Sequence, residues 1–131
     1  MGFGKYSSSS KISALVADDD TIIQKIHKAL LTKLGLEVNV VANGKEVLDL
    51  YRSGTSFDLI FMDMEMPIMD GPEATKELRA MGVQSIIMGV TSRDLDSEKE
   101  AFMASGLNDC YMKPLTISKI SSLLQELKKK N

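Results

Sequence analysis

Two hydrophobic rhythms alternate along this chain. Short apolar runs, several rich in β-branched residues, are followed by longer stretches in which apolar residues return every three or four positions. The first kind reads as buried strand, the second as amphipathic helix. Ile12-Ser13-Ala14-Leu15-Val16-Ala17 predicts a strand, and Ile22, Ile23, Ile26, Leu30 and Leu34 then predict a helix stopped by Gly35. Val38 to Ala42 reads as a second strand, after which Asn43-Gly44 turns the chain into a helix carrying Val47, Leu48, Leu50 and Tyr51 up to Gly54. The same rhythm predicts strand 58–62, helix 72–81, strand 85–90, helix 95–105, strand 109–112 and helix 116–129. Five strands alternating with five helices imply an α/β fold, a parallel sheet covered on both faces, because right-handed crossovers place helices on each side.

Ligands of such sheets bind beyond the carboxyl ends of the strands, and the polar residues of interest stand there. Asp18-Asp19-Asp20 follows the first apolar run, Asp63 follows Leu59-Ile60-Phe61-Met62, Thr91-Ser92 follows Ile86 to Val90, and Lys113-Pro114 follows Cys110-Tyr111-Met112. Stacked carboxylates at the mouth of a buried strand repel and resist desolvation unless a cation neutralises them. Two acidic strand ends beside a hydroxyl and an ammonium therefore specify a phosphoryl site.

Composition narrows the field. At 131 residues the chain suits one domain. A net charge of −2 with no tryptophan argues against a nucleic-acid-binding surface, and Lys128-Lys129-Lys130 reads as a solvated helix end. One cysteine, Cys110, excludes an internal disulfide. No run approaches the roughly 20 apolar residues of a membrane span, and the start of the chain lacks a signal-peptide pattern. A cytoplasmic protein, with the nucleus as a further location, is expected. Residues 1–10, including Ser7-Ser8-Ser9-Ser10, read as a flexible tail before a single domain over 11–131.

In sequence order, Asp18-Asp19, Asp63 within Met62-Asp63-Met64-Glu65-Met66-Pro67-Ile68-Met69-Asp70-Gly71, Thr91, and Lys113-Pro114 resemble the receiver domain of two-component response regulators, over about Lys11 to Lys128. The lack of an output domain, Leu107-Asn108-Asp109-Cys110 and the short Ser-rich leader are similar to plant stand-alone receivers of the cytokinin phosphorelay, the type-C group most of all. The resemblance implies a doubly wound sheet of order 2-1-3-4-5. It also implies a monomer that takes a phosphoryl group onto Asp63 from a histidine-containing phosphotransfer protein, with Mg²⁺, and that can drain phosphate from the relay by dephosphorylation. It assigns Asp18, Asp19, Asp63 and the Glu65 backbone carbonyl to the metal, and Asp63, Thr91 and Lys113 to the chemistry. Hard oxygen ligands suit Mg²⁺, and Lys113 and the Thr91 hydroxyl suit phosphate oxygens.

The remaining residues divide between site and scaffold. Asp20 reads as a helix N-cap, and Gly71 before Pro72 as backbone freedom at a helix start. Met62 and Met88 read as packing, with Met64, Met66 and Met69 flanking the loop after Asp63. The one histidine, His27, reads as an exposed or half-buried side chain among lysines. Glu65 and Arg93 have opposite charges at rim positions from which they can pair and screen attacking water. Ile22, Ile23, Pro114 and Leu115 are expected to form an apolar docking patch, Ile23 fitting core and surface equally. The family often has an aromatic switch residue three positions before the lysine; Cys110 stands there, and strand alternation points Tyr111 to the opposite face. Two other readings compete: a haloacid-dehalogenase-like phosphatase using Asp18 and Asp20 as an Asp-x-Asp motif, and a non-phosphorylated interaction module.

Overall fold

The computed structural model of the chain describes residues 11–130; the expected N-terminal tail, residues 1–10, lies outside the described residues. The strands are β1 (Ser13–Ala17), β2 (Glu37–Val41), β3 (Leu59–Asp63), β4 (Ile86–Thr91) and β5 (Asp109–Met112). The helices are α1 (Thr21–Lys33), α2 (Gly44–Arg52), α3 (Gly71–Ala80), α4 (Asp96–Ala104) and α5 (Ile117–Lys130). All strand pairs are parallel, in the order β2-β1-β3-β4-β5. The sequence rhythm thus predicts every element to within two residues at each end.

β3 is central, and all five of its residues are buried, which is why its sequence is apolar without alternation up to Asp63. Strand side chains divide between two cores. Leu15, Ile60, Met62 and Ile87 pack with Val47, Leu48, Leu78 and Phe102 under α2, α3 and α4. Val16, Phe61, Met88 and Val90 pack with Leu31, Leu115, Ile120 and Leu123 under α1 and α5. Each fully buried Leu, Ile or Phe contributes roughly 1.5–3 kcal/mol, so the paired cores hold the strand ends of the site on a rigid frame. Cys110 joins the first core and Tyr111 the second, the opposite orientations expected from strand alternation.

α1 departs from its expected face. Its fully buried residues are His27 and Leu31, whereas Ile22 and Ile26 are 68% and 47% exposed. The inner face runs through Ile23, His27, Leu30, Leu31 and Leu34. An apolar count alone mistakes its direction because the polar His27 occupies the centre of the buried stripe. The helix starts at Asp20, whose carboxylate accepts from the N–H groups of Ile22 and Ile23 at 2.9 and 3.2 Å, as an N-cap should. It ends at Leu34, after which Gly35 takes a φ of 92°.

Candidate functional site

The carboxyl ends of β1, β3, β4 and β5 converge because the register places Ala17 beside Met62, Asp63 beside Val90, and Thr91 beside Met112. The next residues of β1 and β5 are Asp18 and Lys113. Asp18 is buried; its carboxylate accepts from the Asp20 N–H at 2.9 Å, and its carbonyl accepts from the Gln24 side-chain amide. Asp63 is buried at the end of β3. The Lys113 ammonium lies between them, 2.8 Å from Asp18 Oδ2 and 3.0 Å from Asp63 Oδ1. Its peptide bond to Pro114 is cis. Thr91 is buried at the end of β4, where its hydroxyl oxygen accepts from the Arg93 N–H at 3.0 Å.

One carboxylate oxygen from each of Asp18, Asp19 and Asp63 lies within 4.8 Å of the others. Three carboxylates and one ammonium leave a charge of −3 + 1 = −2, which one divalent cation offsets. All-oxygen donors at converging strand ends match what a hard cation requires, so these residues fit Mg²⁺. The uncompensated charge is felt at Asp63. Burial and the neighbouring Asp18 raise its pKa from 3.8 to about 6, against the pull of Lys113. Burial alone would lower the pKa of Lys113, but its bonds to Asp18 and Asp63 raise it overall, so it remains an ammonium.

The rim is wet by comparison. Arg93 Nη1 is 3.1 Å from Glu65 Oε2 and 3.3 Å from Glu98 Oε2, with Arg93 and Glu65 about half exposed. The Glu65–Arg93 pair therefore forms as the charge pattern suggests, with Glu98 of α4 as a second partner that the pattern did not single out. Glu65 contributes no carboxylate to the acidic cluster, which leaves only its backbone carbonyl for a metal.

Beyond Asp63, the loop turns at Ile68, which has a φ of 70° with the Met69 N–H bonded to the Pro67 carbonyl at 2.7 Å. A β-branched residue in a γ-turn of this sign is strained; nothing in its sequence marks Ile68 for that conformation. Asp70 caps α3 through the Glu73 N–H at 2.9 Å. Gly71 corrects the expectation of backbone freedom: its φ is not left-handed, and its role is proximity. A Cβ there would stand 2.2 Å from the Asp63 carbonyl oxygen and 2.9 Å from the Phe102 ring.

The four residues expected to form a docking patch differ in exposure. Ile22 and Pro114 are exposed and Ile23 is half-buried, but Leu115 is 4% exposed and belongs to the core beneath α1 and α5. Leu115 is therefore no surface residue. His27 is likewise neither exposed nor half-buried: it is 1% exposed, and its Nε2 accepts from the Leu115 N–H at 3.1 Å. Its isolation among lysines in sequence concealed this, since the lysines lie on the outer side of α1.

A family model described as the response regulator receiver domain matches residues 14–125. Two-component response regulator 24 of Arabidopsis thaliana is 56% identical over 118 residues, covering 90% of this chain and 85% of that protein. Among solved structures, the receiver domain of the Saccharomyces cerevisiae response regulator Ssk1, crystallised with the histidine phosphotransfer protein Ypd1, is 28% identical with a TM-score of 0.77, covering 85% of this chain and 84% of that one. The receiver domain of the Pseudomonas aeruginosa sensor histidine kinase PA1611, with a magnesium ion coordinated in its active-site cleft, is 30% identical with a TM-score of 0.77, covering 89% of this chain and 97% of that one.

Proposed function

This chain belongs to the response regulator receiver family, and on that footing we propose that it accepts a phosphoryl group on Asp63 from a phosphohistidine of a phosphotransfer protein, with Mg²⁺ bound. The observation that carries this reading is the Lys113 ammonium, held 3.0 Å from Asp63 and 2.8 Å from Asp18 where four strand ends meet. An Asp63 oxygen attacks phosphorus, the P–N bond to the donor imidazole breaks, the imidazole leaves with the bonding electrons, and the product is an aspartyl phosphate. Transfer of this kind depends on alignment and on compensation of the equatorial oxygens. Lys113 is placed to follow one phosphate oxygen. The Thr91 hydroxyl, bonded weakly to the Arg93 carbonyl at 3.3 Å, is free to turn to another. Asp18, Asp19, Asp63 and the Glu65 carbonyl would hold Mg²⁺, which would supply the remaining positive charge.

The partner class is supported by the Ssk1 receiver, which is similar to this chain and was crystallised with a histidine phosphotransfer protein. Ile22 and Pro114, exposed next to the site, and the half-buried Ile23 offer the docking surface; Leu115 supports it from below. One copy suffices, because Asp18, Asp19, Asp63, Thr91 and Lys113 all come from a single chain. Glu65 and Arg93 set the lifetime of the phosphoryl group by covering the path of water, so that hydrolysis drains the relay. No helix among the described residues is long and apolar enough to cross a membrane.

The phosphatase alternative loses its second acid, since Asp20 commits its carboxylate to the N-terminus of α1. The deciding experiment is incubation with a labelled phosphohistidine donor and Mg²⁺. Label on wild type and none on Asp63→Ala is expected; label on Asp18 would restore the phosphatase, and no uptake by wild type would leave an interaction module. An Asp19→Ala titration should show weakened Mg²⁺ binding, and unchanged affinity would remove Asp19 from the ligand set.

A further inference from the structure

α1 reaches both halves of the Asp18–Lys113 ion pair from behind. Gln24 donates its side-chain amide to the Asp18 carbonyl, and His27, three residues on, accepts the Leu115 N–H at 3.1 Å. Residues three apart on a helix share a face, so two polar side chains of one helix hold the backbones that carry the paired charges. A buried imidazole within a hydrophobic stripe is costly without a partner, and this one bonds to a backbone group two residues beyond Lys113. We propose that His27 is a positioning residue for Lys113: its neutral imidazole, accepting at Nε2, ties the Pro114–Leu115 segment to α1 and so fixes where the ammonium stands relative to Asp63.

The bond dictates the chemical state of the ring. Nε2 accepts, so the single proton of the neutral form is on Nδ1, and a protonated ring could not take part. Burial lowers the pKa of His27 from its ordinary 6.5, opposed by Asp18 and reinforced by Lys113, which keeps the accepting form at neutral pH. Leu115 itself is buried beside Leu31 and Ile120. The segment is thereby held twice, by packing of the Leu115 side chain and by the bond to its N–H. Packing alone permits small slides along an apolar surface; the directional bond removes them.

The inference rests on Asp63 being the acceptor, and two substitutions test it. Gln at position 27 can place an acceptor near the place of Nε2, whereas Asn is too short to reach the Leu115 N–H; both are polar and similarly costly to bury. Phosphorylation is measured with a small phosphoramidate and Mg²⁺, so that partner docking does not enter. H27N should be about tenfold slower than wild type, since small misplacements of an aligned group are expensive, and H27Q should recover to within about twofold. The Leu115 amide proton should shift in H27N and remain hydrogen-bonded in H27Q. Equal rates in the two variants would overturn the proposal. Should H27N fail to fold, the nitrogen NMR spectrum of the wild type, which has one histidine, still decides: a bare Nε2 and a protonated Nδ1 support the anchor, and a protonated Nε2 overturns it. Label on a residue other than Asp63 would instead overturn the phosphorelay reading and leave the tautomer as found.

Discussion

The site and its rim each hold one cation between two carboxylates, and they differ in almost everything else. At the floor, Lys113 bridges Asp18 and Asp63 with side chains 14%, 2% and 7% exposed. At the rim, Arg93 bridges Glu65 and Glu98 with side chains 48%, 63% and 34% exposed. Distances are similar in the two triads, so geometry alone does not separate them. Water does: an exposed pair gains ~0–1 kcal/mol, whereas removing one partner from a buried pair costs roughly 3–5 kcal/mol because the other charge is left uncompensated. The floor is therefore costly to disturb, and the rim pairs can change with little effect on the fold.

The largest contrast should come from Asp63 itself. Asp63→Ala and Asp63→Asn are expected to fold and to take up no label from a phosphohistidine donor, since neither offers a carboxylate nucleophile. Residual label on either would break the assignment of the floor as the reacting centre. Next, Lys113→Met should destabilise the metal-free protein by about 3 kcal/mol through two abandoned carboxylates, and Mg²⁺ should recover more stability in the variant than in wild type. Thermal melts with and without Mg²⁺ check this; equal Mg²⁺ effects would show that the ammonium and the metal do not share the same charges.

A pH series sharpens the comparison further. Asp63 has its pKa raised from 3.8 to about 6 by burial first and by Asp18 second, so the folded state holds a proton that the unfolded state has released between those values. By linkage, stability contributed at Asp63 is complete below 3.8 and is lost as the pH rises through about 6. Without divalent cations, Asp63→Asn should then be more stable than wild type at pH 7, with the gap closing toward pH 4. Denaturant midpoints of the two proteins across that range provide the check, and a gap independent of pH would contradict it. The smallest effect belongs to the rim. Arg93→Ala and Glu98→Gln should change the rate of phosphoryl loss by up to roughly fivefold, the kinetic equivalent of ~1 kcal/mol, while leaving the melting temperature and Mg²⁺ affinity nearly unaltered. Constant rates in both would reduce the rim to ordinary surface charge.

How legible each part is divides between local and non-local causes. Strands and helices are legible because hydrophobic period, the helix cap at Asp20 and the stop at Gly35 all act within a few residues. Asp18, Asp63, Thr91 and Lys113 were readable as a set because a parallel sheet delivers successive strand ends to one edge. His27 was not, since its partner Leu115 lies 88 residues away and a histidine between lysines looks solvated. Leu115 is the complementary case: next to a site residue and apolar, it carries the local marks of a docking side chain, while its burial depends on α1 and α5 together. Gln24 and Glu98 bear no local mark of their partners, and only the folded arrangement pairs them with Asp18 and Arg93.

The closure of position 71 has a consequence for how this chain tolerates change. Two kinds of constrained glycine coexist in it, and a substitution library would tell them apart. At Gly35, with a φ of 92° and nothing within 4 Å of an added Cβ, the obstacle is conformational, and asparagine, which accepts left-handed geometry, should be the mildest replacement. At Gly71 the obstacle is volume against the backbone oxygen of Asp63 and the ring of Phe102, and no choice of side chain escapes it. Shortening Phe102 frees only the ring side of that contact. Keeping Asp63 where it stands thus carries with it a second, chemically silent constraint eight residues downstream, at Gly71.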